Sequence, residues 1–176
     1  MPELNSLIGD YESFLSDILS RVEDSGFNLS DFVQIDHMCY RTTSQENYKI
    51  KKNELGQVAK LVGETTVNGR LISTFRLTTP VYFDKWRIDA VELPAPKEGS
   101  QHIEGLEHIE FILFDDIPIF LKKYEGKPFD MRAANRGLNP EIGLKLDNYS
   151  VKFHLVALPT VVFLENKLGI DDVRDK

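Results

Sequence analysis

Val33-Gln34-Ile35-Asp36-His37-Met38-Cys39-Tyr40-Arg41 decides the fold, because Leu106-Glu107-His108-Ile109-Glu110-Phe111-Ile112-Leu113-Phe114 repeats its layout 71 residues later. In each stretch an acidic residue precedes a central histidine, and apolar or aromatic residues hold the alternate positions, the pattern of a buried strand. A polar helix-start signal follows seven residues after each histidine, at Ser44 and at Asp115. The chain therefore reads as a duplication. Two related strands, each with one inward histidine, suggest two half-sites, and a metal ion is the usual reason to gather histidines in this way.

Working outward, Thr42-Thr43-Ser44 can cap a helix whose apolar positions Tyr48, Leu55, Val58, Leu61 and Val62 keep a 3.6-residue period to Gly63. Strands are expected at residues 64–67, 71–79 and 86–93; Asn68-Gly69 joins the first two, since both residues tolerate positive φ, and prolines at 80, 94 and 96 close the later ones. In the second half, Asp115-Asp116 starts a helix carrying Ile117, Phe120, Leu121 and Tyr124 that Gly126 stops. Strands at about 128–134, 141–147 and 149–158 complete it, so each half has the order β-α-β-β-β. Upstream, Leu7, Ile8, Tyr11, Phe14, Leu15, Ile18, Leu19 and Val22 predict one amphipathic helix over 6–23; downstream, Val161, Leu164 and Leu168 give the tail a short helical stripe. The expected organisation is a single α+β domain over 1–176: an N-terminal helical arm (1–31), a first module (32–97), a linker (98–105), a second module (106–158) and a C-terminal tail (159–176).

Composition narrows the function. A chain of 176 residues, 41% hydrophobic, can bury an ordinary core, and a net charge of −7 offers no basic footprint for nucleic acid. No run approaches the roughly 18 apolar residues of a membrane helix, and the first residues lack a positive segment followed by an apolar one. The single cysteine, Cys39, excludes an internal disulfide. A soluble cytoplasmic protein with a small-molecule partner, binding neither nucleic acid nor membrane, is the expectation.

Three of the four histidines fall on expected strands and only His102 sits in the polar linker. The last strand, Ser150 to Leu155, is taken as the counterpart of Asp89 to Leu93, which sets His154 opposite Glu92 in the repeat. Side chains in phase with the histidines are polar for strand interiors: Cys39 and Arg41 beside His37, Glu110 beside His108, Lys152 beside His154, and a salt bridge from Glu110 to Arg41 or Lys152 is the plain alternative to a chemical role for Glu110. A buried carboxylate such as Glu92 costs several kcal/mol unless it is paired or metal-bound. A lone strand histidine is ordinarily a hydrogen-bonded core residue, so the repeat carries the case for a metal set of His37, Glu92, His108 and His154.

Two β-α-β-β-β modules with such residues on their first and last strands resemble the vicinal oxygen chelate superfamily, which includes glyoxalase I, extradiol dioxygenases and bleomycin-resistance proteins. Within it, Ile35 to Arg41, Val91 to Lys97, Glu107 to Phe111 and Val151 to His154 resemble the YecM-type subfamily over nearly the whole chain. The resemblance implies an open, cup-shaped barrel with a divalent metal at its centre and, with both modules in one chain, a monomer. A donor set of three imidazoles and one carboxylate fits Zn, Ni, Co, Fe or Mn. Chemistry on a small molecule with adjacent oxygens is the implied function, with Glu110 as the proton-transfer group, its pKa raised by desolvation, and Arg41 holding a substrate carboxylate or orienting Glu110. The competing reading is a metal-free module that binds and sequesters a small molecule. Arg132 and Arg136 are read as ordinary loop residues that could meet an anionic substrate.

Overall fold

The computed structural model describes residues 3–97, 99 and 103–168; the rest of the linker and tail, including His102, lies outside the described residues. The N-terminal arm is two helices, α1 (Leu4–Ile8) and α2 (Tyr11–Asp24), where the apolar period predicted one. Gly9 at φ 87° ends α1, and Asp10 restarts the helix by accepting the Ser13 amide with its side chain. One face of α2, with Phe14, Leu15, Ile18, Leu19 and Val22, is buried.

Seven strands form one curled, open sheet in the order β2-β3-β4-β1-β5-β7-β6. Strand β1 (Phe32–Arg41) leads into α3 (Gln45–Leu55), capped by Ser44 as expected. The helix stops at Leu55, so Val58, Leu61 and Val62 do not belong to it: β2 (Ala59–Val67) already begins at Ala59, and Leu61 is an exposed residue of an edge strand. The Asn68-Gly69 turn forms with both residues at positive φ. Strand β3 (Arg70–Phe83) runs on through Pro80, its pairing with β4 (Trp86–Pro94) broken between Arg76 and Val81, which accommodates the missing proline donor.

In the second half come β5 (Gly105–Leu113), α4 (Ile117–Lys123), β6 (Ile142–Leu146), β7 (Tyr149–His154) and finally α5 (Leu158–Leu168). The strand expected at 128–134 shrinks to one bridge, Asp130 to Gly143. Pro128 has no amide hydrogen to offer, and the Asp130 carboxylate accepts the Arg132 amide and pairs with its guanidinium, which curls the chain away. Helix α5 buries Leu158, Val161, Val162 and Glu165, so Leu164 and Leu168 of the expected stripe face outward.

At the centre β1 and β5 run antiparallel, β4 lies parallel to β1, and β7 lies parallel to β5. His37 stands opposite Glu110, and Cys39 opposite His108. Exchanging His37 for His108 therefore carries Cys39 onto Glu110, the mark of an approximate two-fold between the halves. The parallel pairs extend it: Cys39 registers with Glu92 and Glu110 with Lys152, so the counterpart of Glu92 is Lys152, not His154. On the other face of the sheet the core is apolar, with a cluster of Phe27, Phe32, Phe111, Phe120, Phe129 and Phe153 under the second half. Each such ring, when fully buried, stabilises by roughly 1.5–3 kcal/mol.

Candidate metal centre

Period-2 alternation puts His37 and Cys39 of β1, Glu92 of β4, His108 and Glu110 of β5, and Lys152 and His154 of β7 on the inner face of the curl. All but Lys152 are buried. An open cavity of about 800 Å³ reaches this face, and Glu92, His108, Glu110 and Lys152 line it together with Arg41 and Arg70. His37 and His154 are fully buried behind them.

The two histidines of the repeat are held alike. His37 Nδ1 hydrogen-bonds Asp36 Oδ2 at 2.9 Å, and His108 Nδ1 bonds the Glu107 carboxylate, so the acidic residue before each histidine fixes its ring. Both Nε2 atoms are buried without a well-directed hydrogen bond. They point toward one carboxylate oxygen: Glu110 Oε1 lies 3.4 Å from His37 Nε2 and 3.3 Å from His108 Nε2, while Glu92 Oε2 is 3.8 Å from His108 Nε2. Ligand atoms of His37, Glu92, His108 and Glu110 all fall within 4.8 Å of one another. Three of the four ligand positions expected from the sequence are thus brought together, with Glu110 beside them. His154 sits one step aside, its Nε2 3.3 Å from Glu110 Oε2 and 3.6 Å from Asp36 Oδ2, where it groups with Asp36 and His37.

Electrostatics sharpen the roles. Burial alone would depress His37, yet the carboxylates of Glu110 and Asp36 hold its pKa well above the usual 6.5. Burial likewise opposes the charged form of His108, and its contacts with Cys39 and Glu107 outweigh that effect. The desolvation expected to raise Glu110 is present, but Lys152, whose Nζ donates to Glu110 Oε1 at 2.6 Å, and His37 together hold the carboxyl well below its ordinary range. Glu110 is therefore an anion at working pH, suited to binding a cation. Arg41 meets Glu107, at 3.1 Å, and so acts on His108 through the residue that orients it. Arg132 is paired with Asp130, and Arg136 lies 3.9 Å from Glu141. Burial pushes the Cys39 thiol up, which makes it a poor soft ligand in this state.

Asp36 and Glu107, both holders of the histidines, are legible in the sequence only as acidic residues preceding histidines, and Lys152 as a residue in phase with His154 and one of two candidate ion-pair partners of Glu110. Aligning Val91-Glu92-Leu93 with Val151-Lys152-Phe153 is the sequence signal that finds the Lys152 equivalence.

Comparisons with known proteins agree with this architecture. The profile of the family described as "YecM protein" matches residues 3–125, well over half of the chain. Protein YecM of Escherichia coli K12 is 29% identical over 150 residues, which span 85% of this chain and 73% of that protein. An uncharacterised protein of Haemophilus influenzae is 33% identical over 110 residues, 62% of this chain and 57% of its own length. Among solved structures, a structural-genomics target called Protein EC4020 superposes with a TM-score of 0.72 at 25% identity, covering 94% of this chain and 97% of its own. Methylmalonyl-CoA epimerase from Mycobacterium tuberculosis superposes with a TM-score of 0.52 at 14% identity, covering 77% of this chain and 95% of its own, a likeness of fold alone. The chain belongs to the YecM family, and its fold is like that of methylmalonyl-CoA epimerase.

Proposed function

We propose that the cavity is the active site of a divalent-metal-dependent enzyme of the vicinal oxygen chelate type, an isomerase, lyase or dioxygenase, acting on a small molecule with adjacent oxygens. His37, Glu92 and His108 hold the ion, and Glu110 takes the fourth donor place in preference to His154. One observation carries this reading: two buried Nε2 atoms without hydrogen bonds, each ring fixed through Nδ1 by a carboxylate, converge on two buried carboxylates. Buried polar atoms left this way cost about 1–3 kcal/mol each, which ligation would offset.

Two imidazoles and two carboxylates fit Zn, Ni, Co, Fe or Mn. When bound, the ion supplies Lewis-acid polarisation of the substrate's oxygens. The chain's own residues orient and exclude: Asp36 and Glu107 lock the two rings, Arg41 steadies Glu107, and His154 flanks the second oxygen of Glu110. Both half-sites lie in one chain, so the reading needs no second subunit.

A metal-free binding module is the second reading, and one contact favours it: the Lys152 ammonium already balances Glu110 at 2.6 Å. Elemental analysis separates the two. Purified protein equilibrated with Zn, Mn, Ni or Fe and then freed of excess retains close to one ion per chain if the first reading holds, and α-hydroxy ketones, 2-oxoaldehyde thiol adducts and catechols are then screened as substrates. Protein that takes up none of these metals leaves the binding module.

A further inference from the structure

The two-fold that relates the halves gives unlike residues to equivalent places on the inner face. Strand β4 presents Glu92 where β7 presents Lys152. Lys152 lines the cavity with its ammonium 2.6 Å from Glu110 Oε1 and 3.5 Å from Glu141 Oε2, and Glu141 is shared with Arg136 at 3.9 Å. If Glu110 is committed to a metal ion, Lys152 and Arg136 face the single charge of Glu141, and one positive charge is left over. The ion itself attracts no anion by net charge, because Glu92 and Glu110 cancel its two charges while the imidazoles are neutral. Any pull on an anionic ligand must come from the wall.

We infer that Lys152 is the residue that receives an ionised oxygen of the substrate, and that the substrate class is a small carboxylate with a neighbouring oxygen, a 2-oxo or 2-hydroxy acid, in preference to a neutral diol. This rests on the metal-centre reading above. An ammonium on a flexible stem, more than two-thirds buried and aimed at the ligand set, gives a charge-assisted hydrogen bond to such an oxygen in a partly desolvated cavity. Arg70, at the start of β3 in the other half of the sheet, adds a second cation to the cavity lining; among the described residues no carboxylate pairs with it, and its Nη1 lies 3.4 Å from the Ala95 carbonyl oxygen. A neutral diol would leave Arg70 without an anionic partner, and Lys152 and Arg136 with only Glu141 between them.

Oxalate, a chelating dianion, and catechol serve as probes in calorimetric titrations of the Mn-loaded and the metal-free protein, with metal content measured in parallel. The expected result is oxalate affinity at least about tenfold weaker in Lys152→Gln than in wild type, near wild type in Lys152→Arg, and little change in catechol affinity for either variant. Unaltered metal content in both variants keeps the effect on the probe apart from the ligand set. Should Lys152→Gln fail to fold, Lys152→Met carries the comparison, since it removes the ammonium while keeping an unbranched stem, and oxalate affinity must then fall against catechol. If wild type takes up no metal, the metal-centre reading is lost, and the metal-free titration decides for Lys152 alone. Equal oxalate affinity in wild type and Lys152→Gln, or no oxalate binding by wild type in either state, overturns the inference.

Discussion

The halves of the sheet share one frame and differ in what they place on it. The first half spends four strands and an eleven-residue helix; the second keeps three strands, reduces the fourth to the Asp130 to Gly143 bridge, and has a seven-residue helix. Where the frame holds the inward rings, the halves are the same: acidic residue, histidine, Nδ1 fixed, Nε2 inward. Two residues further along they diverge, Cys39 against Glu110, and across the parallel pair they diverge again, Glu92 against Lys152. Backbone register thus conserves the ring positions, while the charged groups are distributed so that each half supplies one carboxylate to the centre.

The largest test of that comparison substitutes equivalent positions. His108→Ala should lower metal affinity by more than about 100-fold and Glu110→Gln by at least tenfold, while Cys39→Ser, at the two-fold mate of Glu110, should change it less than about threefold; competition titration against a chromophoric chelator reads all three. Equal losses at Cys39 and Glu110 would break the assigned asymmetry. A smaller effect of the same kind is expected one step out, where Glu107→Gln loosens the His108 ring without removing a donor.

Stability offers the next contrast. Phe153, fully buried among five other phenylalanines, is the mate of Leu93 in the first half. Phe153→Ala should cost about 3–5 kcal/mol in urea unfolding, and Leu93→Ala about 2–5, the difference measuring how far the second half relies on rings to compensate for its missing strand. Gly63→Ala should cost about 1–3 kcal/mol, because an added Cβ would lie 2.5 Å from Val162 Cγ1 and 3.0 Å from Asn166 Nδ2, prising α5 off β2. An unchanged midpoint would mean that α5 is not seated there.

The smallest effect concerns pH. Burial pushes Glu107 up, but its bonds to His108 and the charge of Arg41 prevail and hold its pKa at about 2, against an ordinary 4.5. A depressed carboxylate stabilises fully above 4.5 and loses that contribution as pH falls toward about 2, so metal-free wild type should destabilise over that window more steeply than Glu107→Gln. Metal uptake has the same sign in a higher window: His37 and His108, both raised above 6.5, must release protons to ligate, so affinity should climb with pH and uptake should acidify a weakly buffered solution.

How much could be read beforehand follows from these particulars. The duplicated strands, the Ser44 cap and the Asn68-Gly69 hairpin were legible because local chemistry dictates them. The helical period of Leu55, Val58, Leu61 and Val62 extends past the true end of α3, because Leu61 faces solvent on an edge strand. The residues of the centre were legible as types; the alignment of β7 was not, because pairing His154 with Glu92 matches polarity, whereas the real register is fixed by backbone hydrogen bonds that set Lys152 beside Glu110. Which residue neighbours which across strands is a three-dimensional fact, and with it goes the pKa of Glu110, depressed by Lys152 rather than raised by burial.

The most direct measurement of the central claim is anomalous X-ray scattering from crystals of the protein loaded with Zn or Mn, collected across the metal edge. The account predicts a single peak per chain, within bonding distance of His37 Nε2, His108 Nε2 and carboxylate oxygens of Glu92 and Glu110, with His154 outside that shell. A peak bound by His154 in place of Glu110 would contradict the donor set, and loaded crystals with no peak on the inner face would contradict the metal centre itself.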